Sequence, residues 1–178
     1  MRTPKLPPKV FILDVDGVMT DGTFYYTPEG KVMKKFGADD HDALSLLAPH
    51  MDILFVTGDK RGFEIARKRI AEDMKMPLHL VSTSRRCQWI EEHYPLDRVV
   101  YMGDGVFDPL VFEQVAFGIA PANALPLTRN AADFVTSCIG GQRAVAEACF
   151  FLLEHFFNLT SLHDMMRAIS KTAGQWTV

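Results

Sequence analysis

Three short polar segments each follow an apolar run: Asp14-Val15-Asp16-Gly17, Thr57-Gly58-Asp59 and Gly103-Asp104-Gly105-Val106-Phe107-Asp108. Brought side by side, they place at least three carboxylates and a hydroxyl in one crevice. Carboxylates gathered in this way repel, and their pKa values rise unless a cation neutralises them. Hard oxygen donors favour Mg2+, which keeps part of its water shell and bridges to a substrate phosphate. One carboxylate can then act as nucleophile on phosphorus and form an aspartyl phosphate. A second, two residues further along the chain, can turn back to the same site as general acid and base. Gly17 lets the backbone approach a phosphate closely. An acidic pair after a strand is by itself a common loop or cap motif. Three such signatures, each closing an apolar run, give the pattern its chemical meaning.

The runs that must carry these segments are four residues long, at 10–13, 53–56, 99–102 and 117–120. Short runs rich in Val, Ile and Phe read as strands buried on both faces of a parallel sheet. Open sheets of this kind bind ligands at the carboxyl ends of their strands, and three of the four runs end in one of these polar signatures. Between the strands, 61–74 sets Phe63, Ala66, Ile70 and Met74 on one helical face, with Ile65 off the stripe. Strands alternating with helices predict an α/β fold, a Rossmann-like doubly wound parallel sheet. One segment interrupts the alternation. Residues 20–36 read as a β-hairpin flap, Thr23-Phe24-Tyr25-Tyr26 and Lys31-Val32-Met33 around a Pro28-Glu29-Gly30 turn. Two C-terminal helices are expected over about 142–172. The first, 142–157, carries Val145, Cys149, Leu152, Leu153 and Phe156 on one face; the second runs from about 162 to 171. Asp39, Asp40, His41 and Asp42 read as a solvated helix start with acids at the positive end of the dipole.

The chain of 178 residues is 48% apolar and 23% charged, with a formal net charge of −3 and a pI near 6.0. This is the profile of one globular domain, 1–178, with a full core. Such a balance lacks the electrostatic footprint of nucleic-acid binding. Cys87, Cys138 and Cys149 form neither a CxxC pair nor an even set, which fits a reducing compartment. Residues 1–9 are polar and proline-rich, unlike a secretory leader. The best apolar run, 148–153, falls well short of the roughly 18 residues that span a bilayer. A cytoplasmic protein engaging neither membrane nor nucleic acid is expected.

The segment Asp14-Val15-Asp16-Gly17-Val18-Met19-Thr20-Asp21-Gly22, with Thr57-Gly58 and the Gly103–Asp108 string, resembles the haloacid dehalogenase-like (HAD) phosphatases. The opening motif and the hairpin behind it are similar to the capless branch that dephosphorylates sugar acids. That branch includes 3-deoxy-D-manno-octulosonate 8-phosphate phosphatases and sialic-acid-type 9-phosphate phosphatases. Segments 131–136 and 140–145 extend the similarity, which covers about residues 10–155. The resemblance implies an HAD-like fold without a separate cap domain and a Mg2+-dependent phosphomonoesterase acting through an aspartyl phosphate. Its substrate would be an eight- or nine-carbon ulosonate phosphate, of the kind used in cell-surface polysaccharide biosynthesis. Carried over, Asp14 is the nucleophile and a Mg2+ ligand. Asp16 is the acid/base, with its backbone carbonyl on the metal. Gly17, Thr57 and Gly58 bind the phosphoryl group, Asp104 is the third protein ligand, and Asp108 supports it or its waters. The family also places a cation, usually Lys, before a later helix. No Lys stands between Lys75 and Lys171, so Arg85 or Arg86 must serve. Arg86 is preferred because Trp89 and Ile90 follow it on an inward face.

The chain departs from that pattern in places. Arg is planar and bidentate where Lys is a compact charge. Asp59-Lys60 follows Thr57-Gly58 where the octulosonate enzymes usually carry Arg, and an acidic residue followed by Lys is similar to the nine-carbon branch. Gly105 stands where a second acid is usual, and the stretch 37–42 also differs. These departures define an alternative: a catalytically weak or silent oligomerisation or regulatory domain associated with sugar-acid nucleotide activation. The 42 residues between Asp14 and Thr57, and the 28 between Thr57 and Arg86, leave no space for a cap. The apolar residues of the flap therefore predict a homo-oligomer, a tetramer by the resemblance, with neighbouring flaps roofing each site.

Overall fold

The computed structural model describes Pro4 and residues 6–169, so the expected end of the second C-terminal helix, 170–171, lies outside the described residues. In chain order these residues form β1 (Val10–Asp14), β2 (Tyr25–Thr27), β3 (Gly30–Met33), α1 (Asp39–Leu47), β4 (Asp52–Thr57), α2 (Phe63–Arg67), β5 (Leu78–Leu80), α3 (Arg86–His93), β6 (Val99–Met102), α4 (Asp108–Phe112), β7 (Phe117–Ala120), α5 (Pro126–Ala131), β8 (Phe134–Val135), α6 (Ala144–Phe157) and α7 (Leu162–Ile169). Six strands pair in parallel in the order β5-β4-β1-β6-β7-β8. The four runs found in the sequence are its centre. The edge strand β8 is two residues long, too short to show a period in the sequence.

Alternation along the central strands divides the core. Phe11, Leu13, Ile53, Phe55, Val100, Met102, Phe117 and Ile119 face one layer, with Leu44 and Leu47 of α1 and Cys149, Leu152 and Leu153 of α6. Val10, Ile12, Leu54, Val56, Val99 and Tyr101 face the other, with Ile90 of α3 and Val111 and Phe112 of α4. Helices on both faces make the sheet doubly wound, and strands buried on both faces need no polar alternation. Ala66, Ile70 and Met74 are buried as the period predicts. The α-helix itself stops at Arg67 and continues as a wider turn through Asp73.

One expectation is corrected here. The acids that open α1 do not all lie in solvent. Asp39 is exposed and pairs with Arg143, but Asp40 is fully buried and its Oδ1 accepts the Ala146 N–H at 2.9 Å. The first N–H groups of α6 have no partner within that helix, and a carboxylate there is favourable both as acceptor and against the dipole. Asp40 is a capping residue supplied by another helix.

Among the described residues, strands β2 and β3 pair with each other as a separate two-stranded sheet, and a Thr20–Phe36 bridge closes the base of the hairpin. Phe24, Tyr25, Tyr26, Val32 and Met33 are all exposed. No helix of the described residues is long and apolar enough to cross a membrane.

Candidate active site

The site begins where β1 ends. Asp14 Oδ1 accepts the Val15 N–H at 2.8 Å. The chain then makes a wide turn: Asp16 is extended, Gly17 is left-handed at φ +84°, and the Thr20 N–H closes on the Val15 carbonyl at 3.1 Å. Gly17 is required twice over. Its φ suits glycine, and a Cβ there would stand 2.0 Å from Asp104 Oδ2. Asn123 pins this turn from the opposite side, donating to the Gly17 carbonyl at 3.0 Å and accepting the Gly140 N–H at 2.7 Å.

Pairing of β1 with β6 puts Asp14 beside the loop that carries Asp104 and Asp108. Each of these three carboxylates offers an oxygen within 4.8 Å of the others. Burial, then the charges of Asp14 and Asp108, push the Asp104 carboxyl up to about 7. Burial also raises Asp14, against the pull of Arg86. Three clustered acids with little access to solvent, burial pushing the Asp14 and Asp104 carboxyls upward, are a donor set that calls for a hard divalent cation. The residues fit Mg2+.

Arg86 opens α3 and is almost completely buried. Its Nη1 donates to Asp14 Oδ2 at 2.6 Å and to the Tyr101 hydroxyl at 2.6 Å, and lies 3.4 Å from Asp108 Oδ1. Tyr101 in turn donates to Asp108 Oδ1 at 2.8 Å. Arg86 Nε and Nη2 are buried with no hydrogen-bond partner among the described residues. Buried unmatched donors are costly, about 1–3 kcal/mol each, and a planar guanidinium suits an incoming phosphoryl group. Arg85 points elsewhere: it is exposed and lines a surface groove with Ser82, Gln88 and Trp89.

Thr57 ends β4 with its hydroxyl buried, accepting the Asp59 N–H at 3.1 Å; Gly58 beside it is exposed. Asp108 also accepts the Gly105 N–H at 2.7 Å, and the Gly105 carbonyl takes the Thr128 hydroxyl at 2.8 Å. Although Gly105 lacks the usual acid, Asp108 supplies a third carboxylate from one turn further on. Asp16 sits apart from the acidic triad and meets a cation from the flap, Lys34 Nζ, at 2.8 Å. Burial raises Asp16, opposed by that lysine.

No protein-family model matches the chain. Curated relatives do. The 3-deoxy-D-manno-octulosonate 8-phosphate phosphatase KdsC of Salmonella typhi is 31% identical over 150 residues, covering 82% of this chain and 79% of its own. KdsC of Escherichia coli strain K12 matches to the same extent. The chain belongs to the KdsC family of HAD-like phosphatases. It is a phosphoric monoester hydrolase. Among solved structures, the octulosonate 8-phosphate phosphatase of Yersinia pestis superposes with a TM-score of 0.69 at 29% identity, covering 83% of this chain and 81% of its own. The Moraxella catarrhalis enzyme, solved with magnesium ion, phosphate ion and KDO, shares the fold at 24% identity, with a TM-score of 0.72 and coverage of 93% and 94%.

Sequence reasoning about a KdsC-like site missed four residues. Looking for one cation ahead of a late helix overlooked Lys34 and Lys31, which arrive from the flap. Tyr101 carried a readable signal, a polar tip inside the apolar run 99–102 two residues before Gly103-Asp104. Asn123 had none, since its partners Gly17 and Gly140 are remote in sequence.

Proposed function

We propose that the protein hydrolyses the phosphate ester of an ulosonic acid, with Mg2+ held by Asp14, Asp104 and Asp108 and by the Asp16 backbone carbonyl. When bound, the metal supplies Lewis-acid charge for the phosphoryl oxygens. The observation that carries this reading is Asp14, which stands in the acidic triad and in contact with Arg86 at once. A phosphoryl group entering there meets its nucleophile beside a fixed positive charge. The Asp14 carboxylate attacks phosphorus while the ester P–O bond breaks, and Asp16 gives its proton to the departing alkoxide. Asp16 then takes a proton from the water that attacks the acyl phosphate, releasing inorganic phosphate and restoring Asp14. Burial favours the protonated Asp16 that the first step needs. Thr57, Gly17 and Gly58 line the phosphoryl position.

The family relation favours the eight-carbon 3-deoxy-D-manno-octulosonate 8-phosphate as substrate. Asp59 keeps the nine-carbon acid phosphates as a second reading, because it stands where the eight-carbon branch carries Arg. The exposed apolar flap supports a homo-oligomer, a tetramer, whose neighbouring hairpins cover each crevice. Phosphate release from a panel of eight- and nine-carbon acid phosphates, with and without Mg2+, tests the reading. Turnover no greater than that of Asp14→Asn across the panel would instead favour a silent domain.

A further inference from the structure

Lys34 follows β3 at the root of the flap, and its side chain is completely buried. Its ammonium lies between two carboxylates, 2.8 Å from Asp16 Oδ1, 3.0 Å from Asp16 Oδ2 and 2.8 Å from Asp59 Oδ2. Asp59 is itself fixed. Its Oδ1 accepts the Gly62 N–H at 3.0 Å where α2 begins, and its Oδ2 also takes Lys31, whose ammonium lies over the Phe24 ring. The stems of both lysines pass where Gly62 has no side chain, since a Cβ there would fall 2.8 Å from Lys31 Cδ and from Lys34 Cε. The chain of contacts therefore runs from α2 through Asp59 to Lys34 and on to Asp16.

Removing an ammonium from water is expensive unless its partners are well placed. Nothing in the pairing of β2 with β3 calls for a buried charge at position 34. We propose that Lys34 is a positioning residue for Asp16: held by Asp59, it fixes the orientation in which the Asp16 carboxyl delivers its proton to the leaving oxygen. The proposal rests on Asp16 being the acid/base. It also gives Asp59 a role other than binding substrate, as the anchor that joins the flap to the rim of the sheet.

A misplaced general acid hurts a poor leaving group more than a good one. 4-Nitrophenolate departs with little help, whereas a sugar alkoxide needs the proton. The readout is kcat/KM for 4-nitrophenyl phosphate and for the sugar acid phosphate, which covers only the steps up to transfer onto Asp14. Lys34→Met is expected to lose roughly 100-fold on the sugar phosphate and only a few-fold on the aryl ester, within the range of general acid catalysis. Lys34→Arg should recover part of the selective loss. Equal losses on both substrates would overturn the proposal, since a purely structural or phosphate-binding role does not sense the leaving group. Asp16→Asn separates the two claims. A selective loss there without one in Lys34→Met defeats only the positioning role, whereas an unselective loss in Asp16→Asn defeats the acid/base reading and this proposal with it. If Lys34→Met fails to fold by circular dichroism, Asp59→Asn, which releases the anchor, should show a smaller loss with the same selectivity; a uniform loss in that variant counts against the proposal equally.

Discussion

The strand ends and the flap solve opposite problems. At the ends of β1 and β6 the side chains are buried and over-determined: Asp14 answers to Val15 and Arg86, Asp108 to Gly105 and Tyr101, and the Gly17 turn to Asn123. In the hairpin, backbone pairing holds two short strands while Phe24, Tyr25, Tyr26, Val32 and Met33 remain exposed. An isolated two-stranded hairpin is marginal in water, and here its root is tied down by two lysines. Reactive groups are gathered where the sheet is already rigid, while the hairpin presents exposed apolar side chains and is joined to the rim of the sheet by charge.

The strongest way to break this division is at the strand end itself. Asp14→Asn should lower turnover by more than about 10⁴-fold, as loss of a nucleophile commonly does, with an unchanged circular dichroism spectrum and melting temperature equal to or above the parent. Replacing Asp104 by Asn should act through the metal. Since even outer partners of a metal site are worth 10–100-fold in affinity, the Mg2+ concentration for half-maximal activity should rise by roughly 100-fold, and excess Mg2+ should restore part of the rate. A normal Mg2+ dependence would remove Asp104 from the ligand set.

The acidic triad also sets a pH dependence. The Asp104 carboxyl titrates at about 7 in the folded chain against an ordinary 3.8. Between those values the folded protein keeps a proton that the unfolded chain has released, so stability without metal falls as pH rises through 7. The melting temperature of the EDTA-treated protein should therefore drop from pH 5 to pH 8. Mg2+ should restore it at pH 8 and have little effect at pH 5, a contrast read by scanning calorimetry.

Much of the strand-end chemistry was legible in the chain because it is local. Asp14-Val15-Asp16-Gly17 and Gly103-Asp104 sit directly after apolar runs, so identifying the strand also identifies the rim. Arg86 could be narrowed to one of two neighbours by the inward faces of Trp89 and Ile90. Lys34 and Asp59 could not be paired in this way, since only the fold-back of the hairpin brings residues 25 positions apart together. Asp40 misled for the same reason: its partner at Ala146 is on another helix, and an acid at a helix start ordinarily serves its own helix.

Smaller effects test how far each region depends on its neighbours. Tyr101→Phe removes the hydroxyl between Arg86 and Asp108 and should cost about 1–3 kcal/mol of stability, seen as a lower urea midpoint at constant slope. In the flap, Tyr26→Lys with Val32→Lys should leave the urea midpoint nearly unchanged but reduce the mass seen by light scattering to that of a 20.0 kDa monomer. A parent protein that is already a fully active monomer would refute the shared roof.

The central claim, that the acids of β1 and of the loop after β6 make a metal-dependent phosphatase for a sugar acid, meets its most direct test in a single titration. Phosphate release from 3-deoxy-D-manno-octulosonate 8-phosphate is followed after stripping with EDTA and again as Mg2+ is returned. The account predicts no release in EDTA and saturable recovery with Mg2+. Release that persists in EDTA, or none at any Mg2+ concentration with either eight- or nine-carbon acid phosphates, would contradict it.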